Sequence, residues 1–235
     1  MHAHCSLDPV DYKICRYSPE KLIEMTAKFG YEVLSITCHN RDIWTAELAD
    51  YAESLGITLI PGMEVSVEGT RHVLVYNFHG GSENLDTLSK IDNRSEQDTL
   101  VIAPHSFFPG SSCLRRLLEN NLDSFDAIEC SGFLIRGIDF NRKSIAIARK
   151  SGKPLVACGD IHYLWQLNRT VTWIYAEPNV SSILHAIKQG MVRIRVTPIS
   201  WFEAIKWWAT TRWRHAFPVN PAPPKHALNK LFPAR

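Results

Sequence analysis

The sequence predicts an α/β fold in which strands and helices alternate around a closed barrel. Three observations support this: short apolar runs recur along the 235 residues, helical patterns lie between most of them, and two glycine-rich loop motifs are absent. Strands that alternate with helices form parallel sheets, either closed or open. Open doubly wound sheets often carry a G-x-G-x-x-G or G-x-x-x-x-G-K loop, so their absence favours the barrel.

The predicted strands are short runs rich in β-branched residues and bounded by turn-forming or polar residues. They cover residues 33–37, 58–60, 72–78, 100–103, 127–128, 155–157, 171–176 and 192–196.

The first predicted helix carries Leu22 and Met25 on one stripe. Ser18 precedes it as a capping residue, Pro19 suits its first position, and Gly30 ends it. Similar stripes predict helices within residues 44–55, 114–122 and 183–187.

Composition excludes several classes of protein. The net charge of +2 is too small for a dedicated nucleic-acid binder, although the last third is richer in Lys and Arg. The six cysteines include no C-x-x-C pair, and no N-terminal apolar segment is typical of a secretory signal. No apolar run approaches the roughly 18 to 20 residues that span a bilayer. We therefore expect a soluble, cytoplasmic protein with reduced thiols.

The C-terminal part differs from the rest. We expect the barrel over residues 1–198, a Trp-rich amphipathic helix over 199–215, and a disordered, proline-rich, basic tail over 216–235. The helix either packs on the barrel or contacts a membrane surface or a partner, because it carries one apolar, aromatic stripe flanked by basic residues.

Histidine and acidic residues follow several of the predicted strands. In a parallel β/α fold, the carboxyl ends of all the strands lie at the same face of the protein. We therefore expect these residues to converge at that face. A single strand-end histidine is more typical of a structural hydrogen bond, but a series that includes H-x-H and D-x-H pairs indicates ligands for Zn²⁺, Mn²⁺ or Fe²⁺. The predicted ligands are His2, His4, Asp8, His39, Glu64, His72, His105, Asp160 and His162.

The chain resembles the PHP (polymerase and histidinol phosphatase) superfamily through motifs in the family's order. These are HAHCSLDP, SITCHN, IPGMEVS, RHVLVYNF, IAPHSF, AIECSG and ACGDIH. The resemblance implies a distorted seven-stranded, TIM-like β/α barrel with two to three divalent metal ions near one face.

The resemblance also implies how the ligands group. The first ion would take His2, His4, Glu64 and Asp160; the second Glu64, His72 and His105; and the third Asp8, His39 and His162. Glu64 would bridge two ions, and the catalytic residues would be Glu64, Asp160 and His162.

Three further residues are predicted near the substrate. Arg41 and Arg136 could each clamp a phosphate bidentately, although a solvated surface arginine is the more usual reading. Glu129 follows a strand at a position that suits a substrate-side role, a contact to a metal ligand, or a buried hydrogen-bonded carboxylate.

The sequence departs from the family pattern in two places. Relatives usually carry an acidic residue two positions before the first histidine, whereas Met1 alone precedes His2, so we expect a truncated first strand. Cys38 stands where many relatives have Asp; we interpret it as a neighbour of the ligands and not as one of them. We expect Cys130 and Cys158 to be small buried residues.

These features predict a metal-dependent phosphoesterase that hydrolyses a small phosphorylated metabolite or nucleotide with a metal-activated water. The short connections between His72, His105 and Asp160 leave little room for an inserted substrate domain. The alternatives are an exonuclease that trims nucleic-acid ends, and a non-catalytic binding module with this fold. Steep weakening of binding with salt distinguishes the nuclease.

Overall fold

The computed structural model describes residues 1–78, 80–93 and 98–217. The predicted tail lies outside the described residues from position 218 onward. The helices are α1 (Pro19–Lys28), α2 (Ala46–Ser54), α3 (Leu88–Asp92), α4 (Arg116–Asn120), α5 (Arg142–Ser151), α6 (Val180–Lys188) and α7 (Trp201–Ala216). The strands are β1 (Val33–Leu34), β2 (Thr58–Leu59), β3 (Gly62–Val67), β4 (Arg71–Tyr76), β5 (Leu100–Ala103), β6 (Ala127–Ser131), β7 (Leu134–Ile135), β8 (Ile138–Asp139), β9 (Leu155–Cys158), β10 (Thr170–Ile174) and β11 (Val192–Val196).

The largest sheet has five strands in the order β3-β4-β5-β6-β9. Of its pairs, β5–β6 and β6–β9 are parallel, whereas β3–β4 and β4–β5 are antiparallel, so the prediction of a parallel sheet holds for only part of it. The cause lies between β3 and β4, where three residues form a hairpin loop around Gly69, whose φ is +88°. A parallel connection needs a crossover of about a dozen residues, and this loop is too short for one.

The remaining described strands form three two-stranded sheets, β1–β2, β7–β8 and β10–β11. The described strands therefore do not form one continuous closed ladder. Hydrogen bonds nevertheless connect the separate sheets through the N-terminal segment: Thr37 N donates to Ala3 O (2.7 Å), and His4 N donates to Ile161 O (3.0 Å). Ala3 makes a single bridge, to Ile161, and belongs to no strand of its own.

Two apolar layers bury the five-stranded sheet. Alternate residues of β4 face opposite sides: Val73 and Val75 pack with one cluster, and Leu74 and Tyr76 with the other. Helix α6 covers the second side. A third cluster joins α1 and α2 to β1 and β2. As predicted, Ser18 caps α1 by accepting a hydrogen bond from Lys21 N.

Helix α7 begins at a capping box formed by Ser200 and Glu203. It packs on the body of the protein through Trp207, whose ring lies 4.5 Å from that of Phe133, while its other face is exposed. The exposed apolar residues of the helix are Trp201, Phe202, Ile205, Trp208 and Trp213. Within the described ranges, no helix is both long enough and apolar enough to cross a membrane.

Candidate metal centre

The strand ends meet around the carboxylate of Glu64, which is almost fully buried on β3. Five imidazole nitrogens lie within 3.4 Å of its two oxygens. Oε2 lies 3.4 Å from His2 Nε2, 3.4 Å from His4 Nε2 and 3.2 Å from His39 Nε2. Oε1 lies 2.7 Å from His72 Nδ1 and 3.1 Å from His105 Nε2. Residues that are distant in sequence thus share one carboxylate.

The four residues grouped for a first ion lie together. His2 and His4 alternate along an extended segment and therefore point the same way. The Nε2 atom of each ring lies 3.3 Å from Asp160 Oδ1. Both nitrogens are fully buried and make no hydrogen bond. Unpaired buried polar atoms are rare in proteins, and a divalent cation between the imidazoles and the carboxylates of Glu64 and Asp160 fits this donor set.

The three residues grouped for a second ion also meet. The β3–β4 register places Glu64 opposite Leu74, so His72 is its diagonal neighbour on the same face of the sheet. His105 follows β5 and reaches the other side of Glu64 Oε1. Its φ is +24° and that of Asp160 is +46°, a region that non-glycine residues seldom adopt. Such strained positions cluster at functional sites.

The third group is only partly as predicted. His39 Nδ1 lies 3.1 Å from Asp8 Oδ2, but His162 Nε2 contacts Asp11, at 2.9 Å from Oδ2. Asp11 was missed in the sequence. A signal for it exists: it lies three residues after Asp8, in a turn that Asp8 closes by accepting hydrogen bonds from Val10 N and Asp11 N.

The residues predicted near the substrate differ in position. Glu129 is fully buried, and its Oε2 lies 2.8 Å from His2 Nδ1, so it orients the His2 ring. Arg41 is half-buried and donates to Leu7 O, whereas Arg136 is exposed on the turn between β7 and β8. No hydrogen bond or ion pair between either arginine and a predicted ligand is found in the described ranges.

All six cysteines are buried and free. Cys38, next to His39, has its Sγ 3.7 Å from Cys5 Sγ. Burial raises the pKa of the Cys158 thiol to about 11 and that of Cys130 to about 12. A thiol that stays protonated at neutral pH is a poor nucleophile and a poor metal ligand, which agrees with the interpretation of both as buried structural residues.

The charges of the centre stabilise one another. Burial opposes the ionised form of Glu64, but neighbouring histidines, His2 foremost, hold its pKa well below the usual value. Burial likewise opposes protonation of His2, yet Asp160 and Glu64 hold its pKa well above the usual value. In the absence of metal, protons on the imidazoles therefore balance the carboxylates. Divalent cations would replace these protons on binding.

Comparison with known proteins gives one family-model match and several structural neighbours. Residues 139–192 match the model described as PHP-associated. Curated protein sequences give no match. PsfC from Pseudomonas syringae PB-5123 is 16% identical with a TM-score of 0.58, and the alignment covers 92% of this chain and 97% of that one.

A candidate metal-dependent phosphoesterase from Bifidobacterium adolescentis is 13% identical with a TM-score of 0.51. That alignment covers 69% of this chain and 86% of that one. At these identities the two structures show a shared fold and nothing more. The match of residues 139–192 to the PHP-associated model supports a relationship of this segment to the PHP superfamily.

Proposed function

We propose that the protein is a metal-dependent hydrolase that cleaves the phosphoester of a small phosphorylated metabolite or nucleotide. The observation that carries this proposal is the pair of buried, unpaired nitrogens, His2 Nε2 and His4 Nε2, which face Asp160 and Glu64 at 3.3 to 3.4 Å. Two or three Mn²⁺, Zn²⁺ or Fe²⁺ ions held there would activate a water and neutralise charge on the phosphoryl oxygens.

The side chains have separable roles in this proposal. Glu64 holds both halves of the centre through its two oxygens, and Asp160 completes the first half. His162 is partly exposed at the rim, and burial, which lowers its pKa, is outweighed by Asp160 and Asp11, which raise it. In this proposal His162 acts as a ligand of the third ion, whose binding would replace the proton on its ring. Arg41 and Arg136 are the proposed phosphate-binding residues, each requiring side-chain movement toward the centre.

We also propose that the separate sheets represent a distorted seven-stranded β/α barrel. Residues 2–4 hydrogen-bond on one side to Thr37 and on the other to Ile161, which supports a ring of strands closed through the N-terminal segment. In this view residues 1–198 form the barrel domain, and the α7 region, 199–215, packs on it as a separate element.

The experiment combines metal analysis with a substrate panel of phosphomonoesters, cyclic nucleotides and short oligonucleotides. We expect bound divalent ions and hydrolysis of a small phosphoester that a chelator abolishes. Preferred cleavage of oligonucleotides, with binding that weakens steeply as salt rises, would establish the exonuclease instead. Metal binding with no turnover on any member would favour the binding module.

The exposed face of α7 supports a second, separate proposal: contact with a membrane surface or a partner. Four aromatic residues are exposed there, and Arg212 stacks 5.5 Å from the ring of Trp208. Aromatic and cationic side chains on one helix face suit the headgroup layer of anionic lipids. Co-sedimentation with vesicles of anionic and of neutral lipids tests this, and no binding to either would leave a protein partner as the explanation.

A further inference from the structure

Two aspartates lie close to His39 on the loop that follows His4. The family resemblance implies that Asp8 is a ligand of the third ion. The hydrogen bonds of the two side chains differ in a way that reverses this choice. The following inference rests on the proposed metal centre.

We propose that Asp11, and not Asp8, supplies the carboxylate ligand of the third ion, and that Asp8 is a positioning residue that fixes the ring of His4.

Asp8 has no free capacity for a cation. Its Oδ1 accepts from Val10 N (2.7 Å) and Asp11 N (2.8 Å), and its Oδ2 accepts from His39 N (2.9 Å) and pairs with His4 Nδ1 (2.8 Å). A carboxylate offers about four acceptor positions, so these four contacts use them all, and His39 Nδ1 lies close as well, 3.1 Å from Oδ2 and 3.2 Å from Oδ1. The side chain is also fully buried. Binding a cation through Asp8 would leave buried backbone N–H groups unpaired, which is costly.

Asp11 differs on each of these points. Its Oδ2 contacts ring nitrogens alone: His162 Nε2 at 2.9 Å and His39 Nδ1 at 3.5 Å. Among the described residues, no backbone N–H donates to its carboxylate. Its side chain retains some exposure, as does that of His162. A cation can therefore reach Asp11 and His162 without breaking any backbone hydrogen bond. To bind His39 Nδ1 as well, it would replace only the side-chain contact of that nitrogen with Asp8.

The contact between Asp8 and His4 explains what Asp8 does. Because Asp8 Oδ2 accepts the proton of His4 Nδ1, the other nitrogen, Nε2, keeps its lone pair. That nitrogen is the unpaired one that faces Glu64 and Asp160. Asp8 thus acts on the first ion through His4, while Asp11 acts on the third ion directly. The two aspartates should have separable effects on metal binding.

The test is a Mn²⁺ titration of the metal-stripped protein, followed by electron paramagnetic resonance, for wild type, Asp11→Asn, Asp8→Asn and Asp50→Asn. Both loop variants keep the side-chain volume, and Asp50 is an exposed residue of α2 that serves as the matched control. We expect Asp11→Asn to lose one class of site and to keep the other affinities within about threefold. Asp8→Asn should keep the number of sites but weaken one by about 10- to 100-fold, the range for loss of a group that orients a ligand.

Thermal melting of each metal-free variant checks that it is folded. If Asp8→Asn does not fold, the comparison of Asp11→Asn with Asp11→Glu still tests the proposal. Asp11→Glu restores a carboxylate and should regain the metal site that Asp11→Asn loses. Three intact sites in Asp11→Asn, or a wild type with no third site, overturns the inference. A wild type that binds no Mn²⁺ at all contradicts the proposed function itself.

Discussion

Replacing Glu64 with Gln should damage metal binding more than replacing any single histidine of the centre. Both Glu64 oxygens have imidazole partners, with His4 on one side and His105 on the other. Loss of an outer group that merely orients a ligand costs about 10- to 100-fold in metal affinity. A directly shared ligand should cost at least that for each of two ions, so the affinity for the pair should fall by about 10²- to 10⁴-fold, or about 2.7 to 5.5 kcal/mol.

The assay compares Glu64→Gln with His39→Gln, because the family resemblance assigns His39 to the third ion alone. Metal per chain is measured after dialysis against a weak chelator, alongside hydrolysis of the best phosphoester in the panel. Glu64→Gln should lose two ions and all detectable turnover, and His39→Gln should lose one. Equal metal content in the two variants would refute the bridging role of Glu64.

Three other predictions concern single groups. Glu129→Gln should weaken the ion held by His2 by about 10- to 100-fold in a competition titration, because the amide no longer enforces the His2 tautomer; unchanged affinity would contradict this. Burial opposes protonation of His105, but hydrogen bonds that its protonated ring donates to Cys113 and Glu64 raise its pKa from 6.5 to about 10. Its contribution to metal-free stability is therefore full below pH 6.5 and lost as pH rises toward 10. Melting temperatures of the stripped protein should fall across that interval, and a rise would count against it. Trp208→Gln should change the free energy of unfolding by less than about 0.5 kcal/mol, because the ring is exposed; a larger loss in urea titration would show that the helix packs through this face.

Periodicity in the sequence predicted most of the strands, because buried strands read as short β-branched runs. Each predicted run overlaps an observed strand, from β1 to β11. The direction of pairing was not predicted in β3, β4 and β5. The glycine in the E-G-T segment indicates a hairpin, but no strand was predicted over β3, whose residue Glu64 was predicted only as a metal ligand.

The candidate ligands could be chosen from the sequence because chemistry restricts them to a few residue types at strand ends. Their grouping could not, since it depends on which ring nitrogen faces which oxygen. Asp8 and Asp11 illustrate this: both are aspartates near His4, and only the hydrogen bonds from Val10 N and His39 N distinguish the saturated carboxylate from the available one. Likewise, the sequence left three roles open for Glu129, and its 2.8 Å contact with His2 Nδ1 supports the role of a contact to a metal ligand.

The most direct test of a hydrolytic metal centre is metal analysis and phosphoester hydrolysis on one sample before and after chelation. The proposed centre predicts two to three divalent first-row ions per chain, with one at the buried, unpaired nitrogens of His2 and His4. It also predicts loss of hydrolysis when the ions are removed and recovery when Mn²⁺ or Zn²⁺ is returned. Hydrolysis that persists at full rate in the metal-stripped protein would contradict the proposed mechanism.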